Sequence, residues 1–352
     1  MSSPPALHDR RDTVPDEKAR AAVSTGRLPS PDIVTAALAQ AFDRYRADDT
    51  GIIAHYIPAL AAVDPGLFGI AMVGAAGAVH TIGDAAAQFS IQSISKAFVF
   101  ALVDEALGHE TVRERVGVNN TGLPFNSMLA IELNAGSPSN PMVNAGALAV
   151  TSLVPGANAE ARWQFIVAGL ARFAGRPLEI DDAVYSSESA SNQRNQAIAW
   201  LLDSYDRMSA DPVETTDVYT RQCSLLVSAT DLAVMGATLA GGGVNPLTGE
   251  QVVSPRTCRD TLAVLAASGL YERSGDWLYE IGMPGKSGVS GGIVTVSPGK
   301  GGLGTFSPRL DAAGNSVRGQ RVAHYLSGAL GLNLFGSAPT TDTTAVTRPA
   351  HP

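Results

Sequence analysis

β-Prone sequence falls at the two ends of this chain, with a long helical block between them. Residues 68–73 (FGIAMV) and 78–82 (AVHTI) read as a hairpin joined by the turn GAAG. Residues 290–296 (SGGIVTV) and 303–306 (LGTF), on either side of the turn SPGKGG, carry the same signature. From about residue 95 to 267 the pattern is helical, interrupted by Gly, Pro and Asn, with clear segments at 162–173, 192–208 and 229–239. Two further helices frame the whole. One opens at Ser30-Pro31, read as an N-cap followed by a first-turn proline, with an apolar stripe through Ile33, Leu38, Ala41, Phe42 and Tyr45; the other closes the chain over 320–330. A lone hairpin cannot bury its apolar face. The order therefore predicts an α+β fold with an antiparallel sheet built from both ends of the chain and a helical subdomain inserted, not an alternating βαβ arrangement.

The rest of the composition narrows the function. The chain has 352 residues, 45% of them hydrophobic and 16% charged, enough for a sizeable core. A net charge of −8 argues against nucleic-acid binding, which needs clustered Lys and Arg. Two cysteines, Cys223 and Cys258, make neither a disulfide framework nor a metal site. The uncharged stretch 133–159 has the length of a membrane span, but its Pro, Asn and Gly content rules that out. The polar N-terminus shows no apolar signal segment, so a cytoplasmic protein is expected. Residues 1–28 and 336–352 are expected to be disordered tails around one catalytic domain at 29–335, with its sheet part at about 50–90 and 280–335 and its helical part at about 95–270. There is no internal repeat.

The chain has four lysines, and one of them lies in QSISK at 92–96, at the head of the apolar run AFVFAL. Ser93 and Lys96 are three apart, so a helix starting here would place them on one face. A serine hydroxyl needs a base before it is a competent nucleophile. A lysine serves if burial or a neighbouring cation destabilises its ammonium, and helix-start N–H groups can hold an oxyanion. The alternative makes Ser93 a helix cap and Lys96 a solvated charge. SPGK at 297–300 matches the same Ser-x-x-Lys spacing, but on a Pro-Gly turn where the side chains need not meet. GKSGV at 285–289 adds weight to the first copy, because Lys-Ser-Gly on a strand paired with Ser-x-x-Lys at a helix start is the arrangement of serine β-lactamases and penicillin-binding proteins. There Lys286 is expected to lower the pKa of Lys96 by like charge. None of the six histidines stands out as a base.

Polar residues in the helical block suit a free amino acid. Glu188 can pair with an ammonium, while Asn144, Asn195 and the Tyr219 hydroxyl can bind a carboxylate; on one continuous helix Glu188 and Asn195 would share a face. Taken singly, each also reads as an ordinary turn or surface residue.

Together the motifs QSISK, NPMVNAGAL, SSESASNQRNQAIA, YTRQCS, MPGKSGVSGGI and SPRLDAAGNSVRG, in this order, resemble the serine-dependent glutaminase family over about residues 30–335. The resemblance implies a serine β-lactamase-like fold and hydrolysis of L-glutamine to L-glutamate and ammonia without metal or organic cofactor. It implies Ser93 as nucleophile, Lys96 as its base, and Asn144, Glu188, Asn195, Tyr219, Tyr271 and Val289 as substrate-binding positions, the valine through its backbone. Tyr271 or Tyr219 is the expected proton relay. Tyr56 and Gln92 match pocket-lining residues, and Lys286 is placed beside the substrate. A homodimer or homotetramer is implied by the resemblance alone. The rival readings are a penicillin-recognising hydrolase on the same scaffold and a catalytically silent glutamine-binding protein.

Overall fold

The computed structural model describes residues 26–55 and 57–337. The expected tails lie almost wholly outside these residues, as does Tyr56. The main sheet has five antiparallel strands, in the order Val79–Gly83, Gly69–Gly74, Gly301–Phe306, Gly292–Ser297 and Gly285–Ser287 from edge to edge. Strands β1 (Gly69–Gly74) and β2 (Val79–Gly83) form the expected hairpin. Phe89–Ser90 (β3) and Leu226–Val227 (β4) pair separately as a short ladder. Strands β5 (Gly285–Ser287), β6 (Gly292–Ser297) and β7 (Gly301–Phe306) come from the far end of the chain. The seam is β1 against β7, with Ile70 opposite Thr305 and Met72 opposite Leu303. The sheet is thus drawn from both ends of the chain, with the helical block inserted.

Side-chain alternation explains why both faces are covered. Ile70, Met72, Ile293 and Leu303 turn to one side, where they meet Val34 and Leu38 of the helix Pro31–Tyr45 and Val322 and Leu326 of the helix Val317–Ala329. Ala71, Val73, Val294 and Val296 turn to the other, against Leu232 and Ala233 of the helix Ala229–Ala240. That helix lies unusually close to the sheet. A Cβ at Gly302 would sit 2.3 Å from the Ala233 carbonyl oxygen, and one at Gly304 would sit 2.0 Å from that of Ala229. The glycines of β7 are what permit the approach, since any side chain there would have to displace helix backbone.

Local departures from the expected elements have local causes. Ser30 precedes the first helix but makes no side-chain cap bond, and Pro31 alone marks the start. The helix expected over 192–208 is Gln193–Asp203, ended by a turn in which Asp206 takes φ 56°. Glu188 belongs to a separate helix, Asp182–Ser189, so it does not share a continuous helix with Asn195. The uncharged stretch 133–159 contains the end of one short helix, a loop and the helix Asn144–Leu153. No helix among the described residues is long and apolar enough to cross a membrane.

Candidate active site

A cleft of about 430 Å3 opens between the sheet edge at β5 and the helical block. Ser93 lines it from the short 3-10 turn Gln92–Ile94, which feeds the helix Ser95–Leu107. Gln92 adopts φ 53° to make that turn, a conformation that costs a non-glycine residue about 1–3 kcal/mol and that clusters at functional sites. The following helix is buried from Ser95 to Asp104, which matches the apolar run from Ala97 to Val103.

Lys96 shares that burial, with 1% of its surface exposed. Its Nζ donates to the Met142 carbonyl at 3.2 Å and to Asn144 Oδ1 at 2.6 Å. The rings of Phe125, Tyr219 and Tyr271 surround it at 5.5–6.0 Å from their centres. Burial brings its pKa down to about 7, with the nearby Cys223 acting weakly in the opposite direction. The cause differs from the one expected. Burial, not the charge of Lys286, is the largest influence on Lys96; the two ammoniums disfavour each other, and burial together with that repulsion holds Lys286 well below its ordinary value. Lys286 is also not part of the cleft wall. Fully buried on β5, it donates to the Ser287 carbonyl at 3.0 Å and sits 4.0 Å from the centre of the Tyr271 ring.

Asn144 opens the helix Asn144–Leu153 and connects two groups. Its Oδ1 accepts from Lys96, and its Nδ2 donates to Asn195 Oδ1 at 2.9 Å. Glu188 faces the cleft and accepts a hydrogen bond from Gln92 Nε2. Burial raises its pKa to about 7, although that bond pulls the other way. Tyr219 lies on the helix Pro212–Cys223, where burial keeps its hydroxyl well above the ordinary tyrosine range, so it is protonated at neutral pH. Tyr271 takes φ 56°, a second strained backbone, and its ring packs on Phe125 with centres 4.8 Å apart. Val289 follows β5 in a turn at the cleft wall, and its N–H, like that of Ser93, has no hydrogen-bond partner among the described residues. Of the candidates named from sequence, Ser93, Gln92, Asn144, Glu188, Asn195, Tyr219, Tyr271 and Val289 all line this one cleft, with the Lys96 amine bonded to Asn144 just behind it.

Sequence reasoning passed over Phe125, Asn126, Arg194, Cys223 and Ser287, which also line it. Arg194 holds the Asn126 carbonyl through Nε and Nη2 at 3.1 and 2.9 Å. That loop has no periodicity to betray it. Cys223 and Ser287, by contrast, sat in quoted motifs beside named residues. The second Ser-x-x-Lys copy lies far from this chemistry: Ser297 donates to the Leu332 carbonyl at 3.0 Å and Lys300 to that of Gly331. His55, His80, His109 and His324 are outside the cleft.

Comparison with known proteins agrees along nearly the whole described chain. The family described as Glutaminase matches residues 51–335. Glutaminase 2 of Yersinia pestis is 56% identical over 320 residues, covering 91% of this chain and 94% of the relative. A glutaminase of Colwellia psychrerythraea is 48% identical over 309 residues, covering 88% and 99%. Among solved structures, one described as a probable glutaminase superimposes with a TM-score of 0.86 at 45% identity, over 87% of this chain and 99% of that one. Mglu in its glutamate form gives 0.81 at 39% identity, over 89% and 71%. The arrangement of sheet and helices is that of the glutaminases and is consistent with a serine β-lactamase-like fold, and this chain belongs to the glutaminase family.

Proposed function

We propose that the protein hydrolyses L-glutamine to L-glutamate and ammonia at the cleft around Ser93, through an acyl-enzyme. The observation that carries the mechanism is the environment of Lys96. A neutral lysine amine has two N–H bonds and one lone pair. Met142 O and Asn144 Oδ1 supply two acceptors, which leaves the lone pair for the Ser93 proton. Burial makes that neutral form accessible near pH 7.

In the first step Lys96 takes the Ser93 proton and Oγ attacks the side-chain carboxamide carbon. The N–H groups of Ser93 and Val289, which have no partner among the described residues, are the donors for the oxyanion, an interaction whose loss typically costs about 10²–10³-fold in rate. The C–N bond then breaks, the proton passes to the leaving nitrogen with Tyr271 as the favoured relay, and ammonia departs. Water attacks the acyl-serine with Lys96 again accepting a proton, and Ser93 regains its hydrogen as glutamate is released. Glu188 pairs with the substrate α-ammonium, while Asn195 and Tyr219 receive its carboxylate. The same reading makes the protein a cytoplasmic homodimer or homotetramer, which fractionation and light scattering would check.

Ammonia release from a panel of free amino-acid amides and simple amides tests this function. Release from glutamine well above the others is expected. Binding of glutamine without release would favour a silent binding protein, and the penicillin-recognising reading is set aside by glutaminase relatives matched over nearly their full length.

A further inference from the structure

Ser287 received no role from sequence, yet its hydroxyl is held in one orientation. It ends β5, is 2% exposed, and lines the cleft with Ser93, Asn144 and Tyr271. Its Oγ donates to Oδ1 of Asn315 at 2.5 Å. A serine hydroxyl has one hydrogen, so an oxygen whose hydrogen is committed can only accept from an occupant of the cleft. Asn315 is itself fixed and 2% exposed. Its N–H donates to Asp311 Oδ1 at 3.0 Å, and its carbonyl accepts from the Asp311 N–H at 2.9 Å. Asp311 Oδ2 accepts from Gln320 Nε2 at 2.9 Å, which ties the loop to the helix Val317–Ala329.

We propose that Ser287, oriented by Asn315, accepts an N–H of the substrate carboxamide and thereby sets the preference for the amide over the carboxylate product. This rests on the glutaminase reading above. The side-chain carboxamide of glutamine offers two N–H donors, whereas the γ-carboxylate of glutamate offers only lone pairs. An acceptor-only hydroxyl matches the first and faces the second lone pair to lone pair. A site built around a hydrogen bond discriminates strongly against a ligand that cannot make it, because its buried polar group is left unpaired. Ser287 is thus the specificity-determining contact, and Asn315 is a positioning residue acting through it.

The test compares kcat/KM for L-glutamine with the inhibition constant Ki of L-glutamate, in mildly alkaline buffer, for wild type, Ser287→Ala, Asn315→Leu and Asn315→Asp. Ser287→Ala should lower kcat/KM about tenfold, the scale of one neutral hydrogen bond, while leaving Ki unchanged or tighter. Asn315→Leu frees the hydroxyl to turn and donate to the carboxylate, so Ki should tighten by about fivefold as kcat/KM falls, a similar fraction of a hydrogen bond. Asn315→Asp keeps the acceptor and should return both constants to near wild type. Parallel weakening of glutamine and glutamate in Ser287→Ala overturns the proposal, since Ser287 would then only shape the cleft. Far-UV circular dichroism checks folding, and if Asn315→Leu does not fold, the Ser287→Ala constants decide alone. An inactive wild type overturns the glutaminase reading and this inference with it, whereas an active wild type with parallel losses overturns this inference only.

Discussion

Ser93–Lys96 and Ser297–Lys300 share one spacing and lie in opposite surroundings. Both lysines are buried, at 1% and 2% exposure. Lys300 sits on the β6–β7 turn and donates to a backbone carbonyl at the end of the last helix, while Ser297 bonds the next carbonyl along. Together they fasten a turn to a helix terminus. Lys96 instead lies among aromatic rings at a cleft, with its serine open to that cleft. Burial alone therefore does not mark out the lysine proposed as a base. What separates the two is a neighbouring hydroxyl on the cleft, and beside it N–H groups with no partner among the described residues.

The largest expected effect separates the serines. Ser93→Ala should lower kcat for glutamine by roughly 10⁴-fold or more, as removal of a nucleophile does elsewhere, while Ser297→Ala stays within about twofold. Steady-state ammonia release on the two variants makes the comparison, and equal effects would end it. Next come the lysines. Lys96→Arg keeps the charge but cannot give up a proton at workable pH, so a loss of about 10²–10⁴-fold is expected, the usual contribution of a general base. A mild effect would make Lys96 only an electrostatic partner.

Glu188→Gln should reduce kcat/KM for glutamine by about 10²–10³-fold, because the substrate ammonium loses its partner in a closed site. Glutaramate, which lacks the α-amino group, should be a poor wild-type substrate that loses far less on the same substitution. A double cycle over the two substrates isolates the contact. The pH profile sharpens the picture further. The proposed mechanism needs Lys96 neutral and Glu188 ionised in the free enzyme, and burial brings both pKa values to about 7. The rate constant kcat/KM should therefore rise with pH through about 7, with a logarithmic slope greater than one on the acid side. A slope of one that survives Glu188→Gln would leave Lys96 alone in control. The smallest effect belongs to Lys300→Met: activity within about twofold, and stability lower by about 1–2 kcal/mol, read by denaturant unfolding, for one lost hydrogen bond.

Much of this was legible in the chain. Strands β1, β2, β6 and β7 were found within a residue or two because alternation and Gly-rich turns are local signals, whereas the two-residue strands β3 and β4 were not. The cleft residues were found because each sits in a motif of a family that the chain resembles. What escaped was set by distance in sequence. The helix break between Glu188 and Asn195 has no proline to mark it, only the small polar run Ala190-Ser191-Asn192. Phe125 and Asn126 reach the site because Arg194 and Asn144 hold their carbonyls, which no periodicity encodes. Lys286, expected beside the substrate, packs on the Tyr271 ring and does not line the cleft, because a strand residue's direction depends on register. The expectation for Tyr56 concerns a position outside the described residues.

The seam between β1 and β7 also has a consequence for synthesis. The β1–β2 hairpin leaves the ribosome early, but the strand that completes it, Gly301–Phe306, comes from the far end of the chain. At ~5–20 residues per second the delay is roughly 10–45 s. Throughout that interval the sequence GIAMVG presents an unpaired apolar edge, the kind of surface on which nascent chains pair with one another. Contacts this distant also slow folding once the chain is free. A cell making this protein at high level should depend on chaperones that shield that edge, and truncation just before β7 should yield aggregates instead of a smaller folded protein.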